Sequence, residues 1–157
     1  ISAGIDGIYY AALGGEDYLY TEEEFQEFVK PYDIKILKAA QKSPCFNVLH
    51  ICKDHVNLSR YKDYPADVVN WGVYKQNPSL EEGRKVFPNS AILGGLNDRS
   101  GVLVGGTDVE IEDEVFNILG RMGTTKFILG ADCTLPTEIS YSKIRTAVTA
   151  TQKYAMK

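Results

Sequence analysis

The sequence predicts an α/β fold in which about five parallel strands alternate with helices, as in the C-terminal part of a TIM (β/α)8 barrel. Two observations lead to this prediction. Short apolar runs of strand type alternate with longer segments of helical period, which is typical of repeated strand–helix units around a parallel sheet. The chain has 157 residues, whereas a complete barrel of this kind needs about 250. We therefore expect residues 1–157 to form a single partial domain, the C-terminal portion of a longer protein.

The predicted strands are apolar runs separated by the helical segments. They span Gly7 to Ala11, Phe46 to Ile51, Asp67 to Trp71, Ser90 to Leu93 and Lys126 to Leu129. The chain begins without methionine, in residues that approach the first strand. This start favours part of a closed barrel over a complete open sheet.

Three helices are predicted to begin at capping boxes. The boxes run from Thr21 to Glu24, from Ser79 to Glu82 and from Thr107 to Glu110. In each, the hydroxyl accepts a hydrogen bond from an unpaired backbone amide, and the glutamate accepts one in return.

Apolar stripes at helical spacing predict the buried faces of the first and last helices. The first stripe comprises Phe25, Phe28, Val29, Ile34, Leu37 and Ala40, with a bend expected near Pro31. The last comprises Ile144, Ala147, Val148 and Thr151. We expect both stripes to be core contacts.

Composition excludes several functional classes. The net charge is -4 and the pI is about 5.2, and the basic residues are scattered, so a nucleic acid is not an expected partner. No apolar run approaches the roughly 20 residues of a membrane span, and the start lacks the features of a signal peptide. A cytoplasmic protein is the expectation. The chain has three cysteines, an odd number that cannot form a complete disulfide framework. In the cytoplasm, so few cysteines favour metal binding or catalysis.

The pattern His50-x-Cys52, followed by Cys133, is the most informative feature of the sequence. Residues i and i+2 of a strand point to the same side, so His50 and Cys52 can converge. Cys133 follows the last predicted strand, and in a barrel the ends of the strands meet at one face. Three protein ligands with an open fourth position are typical of a catalytic zinc. We therefore predict His50, Cys52 and Cys133 as metal ligands and catalytic residues.

The alternative interpretation is that His50 is a satisfied core histidine and that Cys52 and Cys133 are buried small hydrophobic residues. Cys45 precedes its strand, at the opposite end of the barrel, and is expected to be structural. His55 could extend the cluster but lies in a polar loop beyond the strand.

Substrate contacts are predicted from position at the same strand ends. Tyr9 and Tyr10 alternate, so one of them faces the cavity, and Tyr10 is our candidate. Trp71 ends its strand, and Asn97 follows the strand from Ser90; each is as compatible with a core or rim role. Asp132 adjoins Cys133 and either orients His50 or caps the following turn.

Several segments resemble one known family, in the same order along the chain. They are Ala3 to Tyr10, Glu24 to Tyr32, Val48 to Cys52, Ala91 to Leu96 and Phe127 to Pro136. These segments resemble the second half of the uroporphyrinogen decarboxylase superfamily. One branch, the zinc-dependent corrinoid-linked methyltransferases, carries an H-x-C…C motif that matches His50, Cys52 and Cys133. That branch usually has glycine after the first cysteine, where this chain has Lys53.

The resemblance implies zinc as a cofactor, methylcobalamin as the methyl donor, a small thiol as the acceptor and a corrinoid protein as a partner. Two thiolates and a neutral imidazole balance the charge of Zn²⁺, which favours binding of a nucleophilic thiolate over activation of water. The alternative is a uroporphyrinogen decarboxylase of porphyrin biosynthesis, which needs no metal. A third is an inactive fragment that pairs with itself through its open sheet edge.

Overall fold

The computed structural model describes residues 2–74 and 76–156, and its centre is a sheet of five parallel strands. The strands lie in the order of the sequence. They are β1 (Tyr9–Ala12), β2 (Val48–Ile51), β3 (Val68–Trp71), β4 (Ala91–Leu96) and β5 (Phe127–Ala131). All five lie where the sequence predicted strands, although β1, β4 and β5 extend beyond the predicted ends. The α/β prediction is confirmed.

Helices follow the strands in alternation, except that the connection from β2 to β3 contains only a 3₁₀ turn. They are α1 (Glu22–Glu24), a π-helical segment (Phe25–Val29), α2 (Lys30–Ala40), α3 (Leu80–Val86), α4 (Val102–Gly105), α5 (Asp108–Met122) and α6 (Tyr141–Ala155), with a 3₁₀ turn at Leu58–Tyr61. The three predicted capping boxes are all formed, at Thr21, Ser79 and Thr107. The helix starts were therefore readable from local sequence alone.

The two faces of the sheet have different contents. One face carries fully buried apolar side chains, among them Leu49, Val69 and Ile92, and forms part of the main hydrophobic core. The other carries His50 and Asn70, which are in-register neighbours on β2 and β3. Because side chains alternate along a strand, this second face directs its polar groups toward one region.

The sheet curls toward the His50 face. In a flat sheet β2 and β5 would lie about 14 Å apart, since neighbouring strands are about 4.8 Å apart. Instead the Sγ atom of Cys133, just after β5, lies 3.5 Å from Nε2 of His50. The amide of Asn70 on β3 likewise contacts the carbonyl of Ala131 on β5, at 3.3 Å. This curvature is that of part of a TIM barrel.

Pro31 does not interrupt the first helix as a simple kink. The turn before it is π-helical, and the amide of Lys30 donates to the carbonyl of Phe25. Pro31 then stands in the first turn of α2, where the missing N–H removes no helical bond. The wider turn thus accommodates the proline that the sequence predicted to bend the helix.

Two apolar residues are more exposed than their stripes predicted. Phe28 is 58% exposed, and Val148 on α6 is 52% exposed, whereas Leu37 and Ala147 are buried as expected. The π-helical turn changes the helical period around Phe28 and explains its displacement from the core face.

The described residues contain no helix that is long and apolar enough to cross a membrane.

Candidate metal centre

Three side chains converge at the carboxyl ends of the strands. His50 lies on β2, Cys52 follows it, and Cys133 follows β5. Their ligand atoms all lie within 4.8 Å of one another, and they form a potential metal-binding group among the described residues. The predicted convergence of these three residues is therefore present in the fold.

The spacing of the ligand atoms is close to that of a tetrahedral zinc site. Zn–S bonds of about 2.3 Å and Zn–N bonds of about 2.0–2.1 Å place tetrahedral ligands about 3.5–3.8 Å apart. The distance between Sγ of Cys133 and Nε2 of His50 is 3.5 Å. A small adjustment of the thiols would suffice for coordination, and the donor set of one imidazole and two thiols suits zinc.

Asn70 binds the other ring nitrogen of His50. Its Oδ1 atom lies 2.5 Å from Nδ1 of His50, deep in the structure. Its Nδ2 atom donates to the carbonyls of Leu93 and Ala131, at 2.9 and 3.3 Å. Asn70 thus links the histidine to the backbones of β4 and β5.

Tyr9 covers the ring of His50. Its ring stacks on that of His50, with centroids 5.5 Å apart and planes 28° apart, and its hydroxyl donates to Oδ1 of Asn70 at 2.8 Å. Burial, with the nearby Cys133 and Cys52 thiols, raises the pKa of Tyr9 to about 12. The phenol therefore stays protonated and remains a hydrogen-bond donor at neutral pH.

The thiol of Cys133 affects that of Cys52. Burial and the proximity of Cys133 raise the pKa of Cys52 above its ordinary value. Two thiolates this close repel, and a cation between them would reverse that preference. The pair is therefore arranged so that a metal ion favours its deprotonated form.

The loop after Cys52 is held by its neighbours. Cys52 donates its amide to the carbonyl of Ala12 at 3.1 Å, and Val56 forms an antiparallel bridge with Glu16 in the loop after β1. Lys53 has a φ of 81°, a left-handed conformation that glycine adopts most easily. Glycine, which the resembling methyltransferases usually have at this position, would therefore suit the backbone conformation of Lys53.

Asp132 does not orient His50, because Asn70 occupies that place. The Asp132 carboxylate is buried and accepts hydrogen bonds from the amides of Gly95 and Val73, at 2.9 and 3.0 Å. Burial raises its pKa to about 7. Asp132 therefore connects the loop that contains Cys133 to the segment after β3 and to the end of β4.

The remaining candidate substrate residues point elsewhere or cap turns. The Tyr10 hydroxyl donates to Asp33 of α2 at 2.5 Å, so Tyr10 faces the helices and Tyr9 faces the site, the reverse of our choice. Trp71 is fully buried, and its Nε1 donates to the carbonyl of Pro78. The Asn97 Oδ1 atom accepts from the amides of residues 99 and 100, which makes a local turn.

Cys45 and His55 lie outside the cluster. Cys45 is exposed, and its amide donates to the carbonyl of Asp6 at the amino ends of the strands. His55 is exposed, and its ring lies edge-on to Tyr18 with centroids 6.1 Å apart. Both were expected outside the metal group.

Sequence reasoning missed Asn70. The signal was present, since Asn70 is the single polar residue in the apolar run Val68-Val69-Asn70-Trp71. A buried polar side chain in such a run needs a partner, and that partner is the predicted ligand His50.

Comparison with known proteins places these observations in a family. A sequence model described as "Uroporphyrinogen decarboxylase (URO-D)" matches residues 1–154. No curated protein sequence matches the chain. Among solved structures, a methyltransferase from Methanosarcina mazei superimposes with a TM-score of 0.79 at 22% identity, over 98% of this chain and 44% of that chain. At that identity the likeness concerns the fold, and this chain spans less than half of that structure. The family match covers nearly the whole sequence, and the chain belongs to the uroporphyrinogen decarboxylase family.

Proposed function

We propose that the protein is a zinc-dependent, methyltransferase-like member of its family that moves a methyl group from methylcobalamin to a thiol. His50, Cys52 and Cys133 would hold the zinc and carry the catalysis. The observation that supports this most is the convergence of their three ligand atoms within 4.8 Å. A decarboxylase that works without metal has no need for such a group.

The charges of the donor set favour a thiol substrate. His50, Cys52 and Cys133 would hold the zinc, and its positive charge would favour the thiolate form of a substrate thiol, which is the nucleophilic form. Cys52 and Cys133 supply two negative charges, and His50 and Asn70 supply none. With Zn²⁺ bound, the site would therefore have no net charge before the substrate binds. A neutral centre suits the binding of an anionic sulfur better than the activation of water.

The chain's own residues also shape the entry to the site. Tyr9 is 56% exposed and stacks on His50, so its ring forms an apolar wall at the border between the ligands and solvent. Such a wall would limit the access of water to the sulfur.

The corrinoid is the part of the proposal that depends on resemblance to the methyltransferase branch. A methyltransferase of similar fold is known from Methanosarcina mazei. We propose a corrinoid protein as the partner that presents the methyl group, a small thiol as the acceptor, and the cytoplasm as the location.

Self-association is a separate proposal. The sheet ends at β1 on one side and at β5 on the other, and a strand with an unpaired edge is a surface on which another strand can pair. We propose that a second copy pairs at such an edge, so size-exclusion chromatography should give a mass above the 17.4 kDa of one chain.

Metal analysis tests the site. The purified chain should carry about one zinc ion, and Cys52→Ser or Cys133→Ser should lose it. Cys45→Ser is the matched control, because it removes a cysteine at the other end of the strands and should keep the metal. Zinc content that is equal in all three variants would exclude this site.

Activity should be measured on the longest expressed form of the protein. Thiol methylation from free methylcobalamin that disappears in Cys133→Ser would support the proposed reaction. Release of carbon dioxide from uroporphyrinogen in the absence of metal would instead establish the decarboxylase function. Zinc binding without either reaction in that form would count against both activities.

A further inference from the structure

Asn70 uses its full hydrogen-bonding capacity at the centre of the sheet. A side-chain amide offers two N–H donors and two acceptor lone pairs. Nδ2 donates to the carbonyls of Leu93 and Ala131, and Oδ1 faces the Tyr9 hydroxyl and Nδ1 of His50. The residue is 0% exposed, so no water competes for these positions.

The two carbonyls fix which way the amide points. Leu93 and Ala131 present only acceptors, at 2.9 and 3.3 Å from Nδ2. A reversed amide would place its oxygen against both carbonyl oxygens and bury two unmade bonds, each of which costs about 1–3 kcal/mol. Oδ1 of Asn70 therefore has to face His50.

An acceptor at this position determines the state of the histidine. Oδ1 can only accept, so Nδ1 of His50 must carry a hydrogen and donate it. In the neutral ring the acceptor lone pair of the imidazole nitrogens then belongs to Nε2. Nε2 lies 3.5 Å from Sγ of Cys133, which directs that lone pair into the space between the ligands.

We propose that Asn70 is a positioning residue that holds neutral His50 in its Nδ1–H tautomer and aims Nε2 at the metal position. This inference rests on the proposed function for the identity of the metal. The tautomer itself is a property of the metal-free protein, so it can be tested without zinc or activity.

Nitrogen NMR of the metal-free chain is the first test. The chain has only two histidines, so a His55→Gln variant assigns the His50 signals. In spectra of the neutral imidazole, which carries a single ring N–H, His50 should show the Nδ1–H form. The Nε2–H form, which free histidine favours in water, would overturn the proposal with no variant of Asn70 required.

Variants at position 70 give the second test. Asn70→Ala should shift His50 toward the Nε2–H form and weaken zinc binding about 10–100-fold in a chelator competition. Asn47→Ala is the matched control, since Asn47 is equally buried and bonds the amide of Ile8 and the carbonyl of Ala40. It should lower stability while leaving the His50 tautomer and zinc affinity unchanged.

Tyr9→Phe separates the two donors on Oδ1. It removes the hydroxyl bond but keeps the ring over His50, so the Nδ1–H tautomer should persist. An Asn70→Ala protein that folds, keeps the Nδ1–H form and binds zinc like the unaltered chain would contradict the proposal.

The outcomes distinguish this inference from the proposed function. The Nδ1–H form in a chain that binds no zinc would support the role of Asn70 and overturn the zinc proposal. The Nε2–H form in a chain that binds one zinc through Cys133 would support the zinc proposal and overturn the role of Asn70.

Discussion

The amide Nδ2 of Asn77 donates a hydrogen bond to the carbonyl of Lys53 at 2.9 Å. The same Nδ2 donates to the carbonyl of Gly72, and Oδ1 of Asn77 accepts from the amide of Val56. One side chain thus holds the loop after Cys52 against the loop after β3. This support keeps Lys53 in its left-handed conformation.

Replacing Lys53 by glycine should stabilise the protein. A left-handed conformation costs a residue with a side chain roughly 1–2 kcal/mol, and the extra chain entropy of glycine costs about 0.5–1 kcal/mol. We expect a net gain of about 0.5–1 kcal/mol in urea unfolding. Lys35→Gly, at an exposed site within α2, is the matched control and should lose about 1 kcal/mol. Equal losses of stability in Lys53→Gly and Lys35→Gly would contradict the left-handed conformation of Lys53.

Gly83→Ala should destabilise the junction of α3 with the sheet. A Cβ atom at Gly83 would lie 2.1 Å from Cη2 of Trp71, so the ring or the helix must move, at a cost of about 1–3 kcal/mol. Trp71 is the single tryptophan, and its fluorescence follows both the local change and unfolding. Gly105→Ala, where nothing lies within 4 Å, should be close to neutral. A neutral Gly83→Ala would show that the packing is looser than described.

The stability contributed by Asp33 should fall as the pH rises. Burial raises the pKa of Asp33, against the hydrogen bonds from Tyr10 and Tyr64 that lower it. The folded state therefore binds a proton more tightly than the unfolded chain, whose carboxyl has a pKa of about 3.9. The contribution is complete below about pH 4 and is lost as the pH rises through the folded pKa.

Asp33→Asn cannot titrate and provides the comparison for that prediction. In urea unfolding at a series of pH values, the wild type should lose stability relative to Asp33→Asn as the pH increases from about 4. Tyr64→Phe removes one hydrogen bond to the carboxylate and should extend the loss to higher pH. A relative gain with rising pH would mean that the hydrogen bonds outweigh burial.

Zinc should raise the thermal midpoint of the chain. A ligand at 100 times its Kd stabilises the folded state by about 2.7 kcal/mol, which corresponds to roughly 5–10 °C for a domain of this size. The shift should be present in Cys45→Ser, absent in Cys133→Ser and reversed by a chelator. An identical shift in both cysteine variants would assign the effect to some other metal site.

Local features of this fold were predictable from sequence, whereas long-range partners were not. Thr21, Ser79 and Thr107 act on amides within three residues, so their roles follow from short motifs. The pairing of His50 with Cys52 follows from strand alternation. The contact of His50 with Asn70 depends on the register of β2 against β3, which no local pattern fixes.

Alternation predicted that Tyr9 and Tyr10 face opposite sides, but it could not say which side each faces. That choice depends on the register of β1 against β2, which pairs Tyr10 with the core residue Leu49. The π-helical turn was also beyond the sequence pattern, because a period near 3.6 was assumed throughout. For that reason the exposure of Phe28 was not predicted.

His50 and Cys133 are separated by 83 positions in the sequence, so the two residues are synthesised at different times. A chain emerging from the ribosome exposes His50 and Cys52 early, as an incomplete chelate with one thiol. The third donor arrives only after β3, β4 and β5 have been synthesised, and it comes within reach only when they have curled together. Full capture of a metal ion would therefore coincide with completion of the sheet, and a nascent chain stalled before Cys133 would release its ion readily.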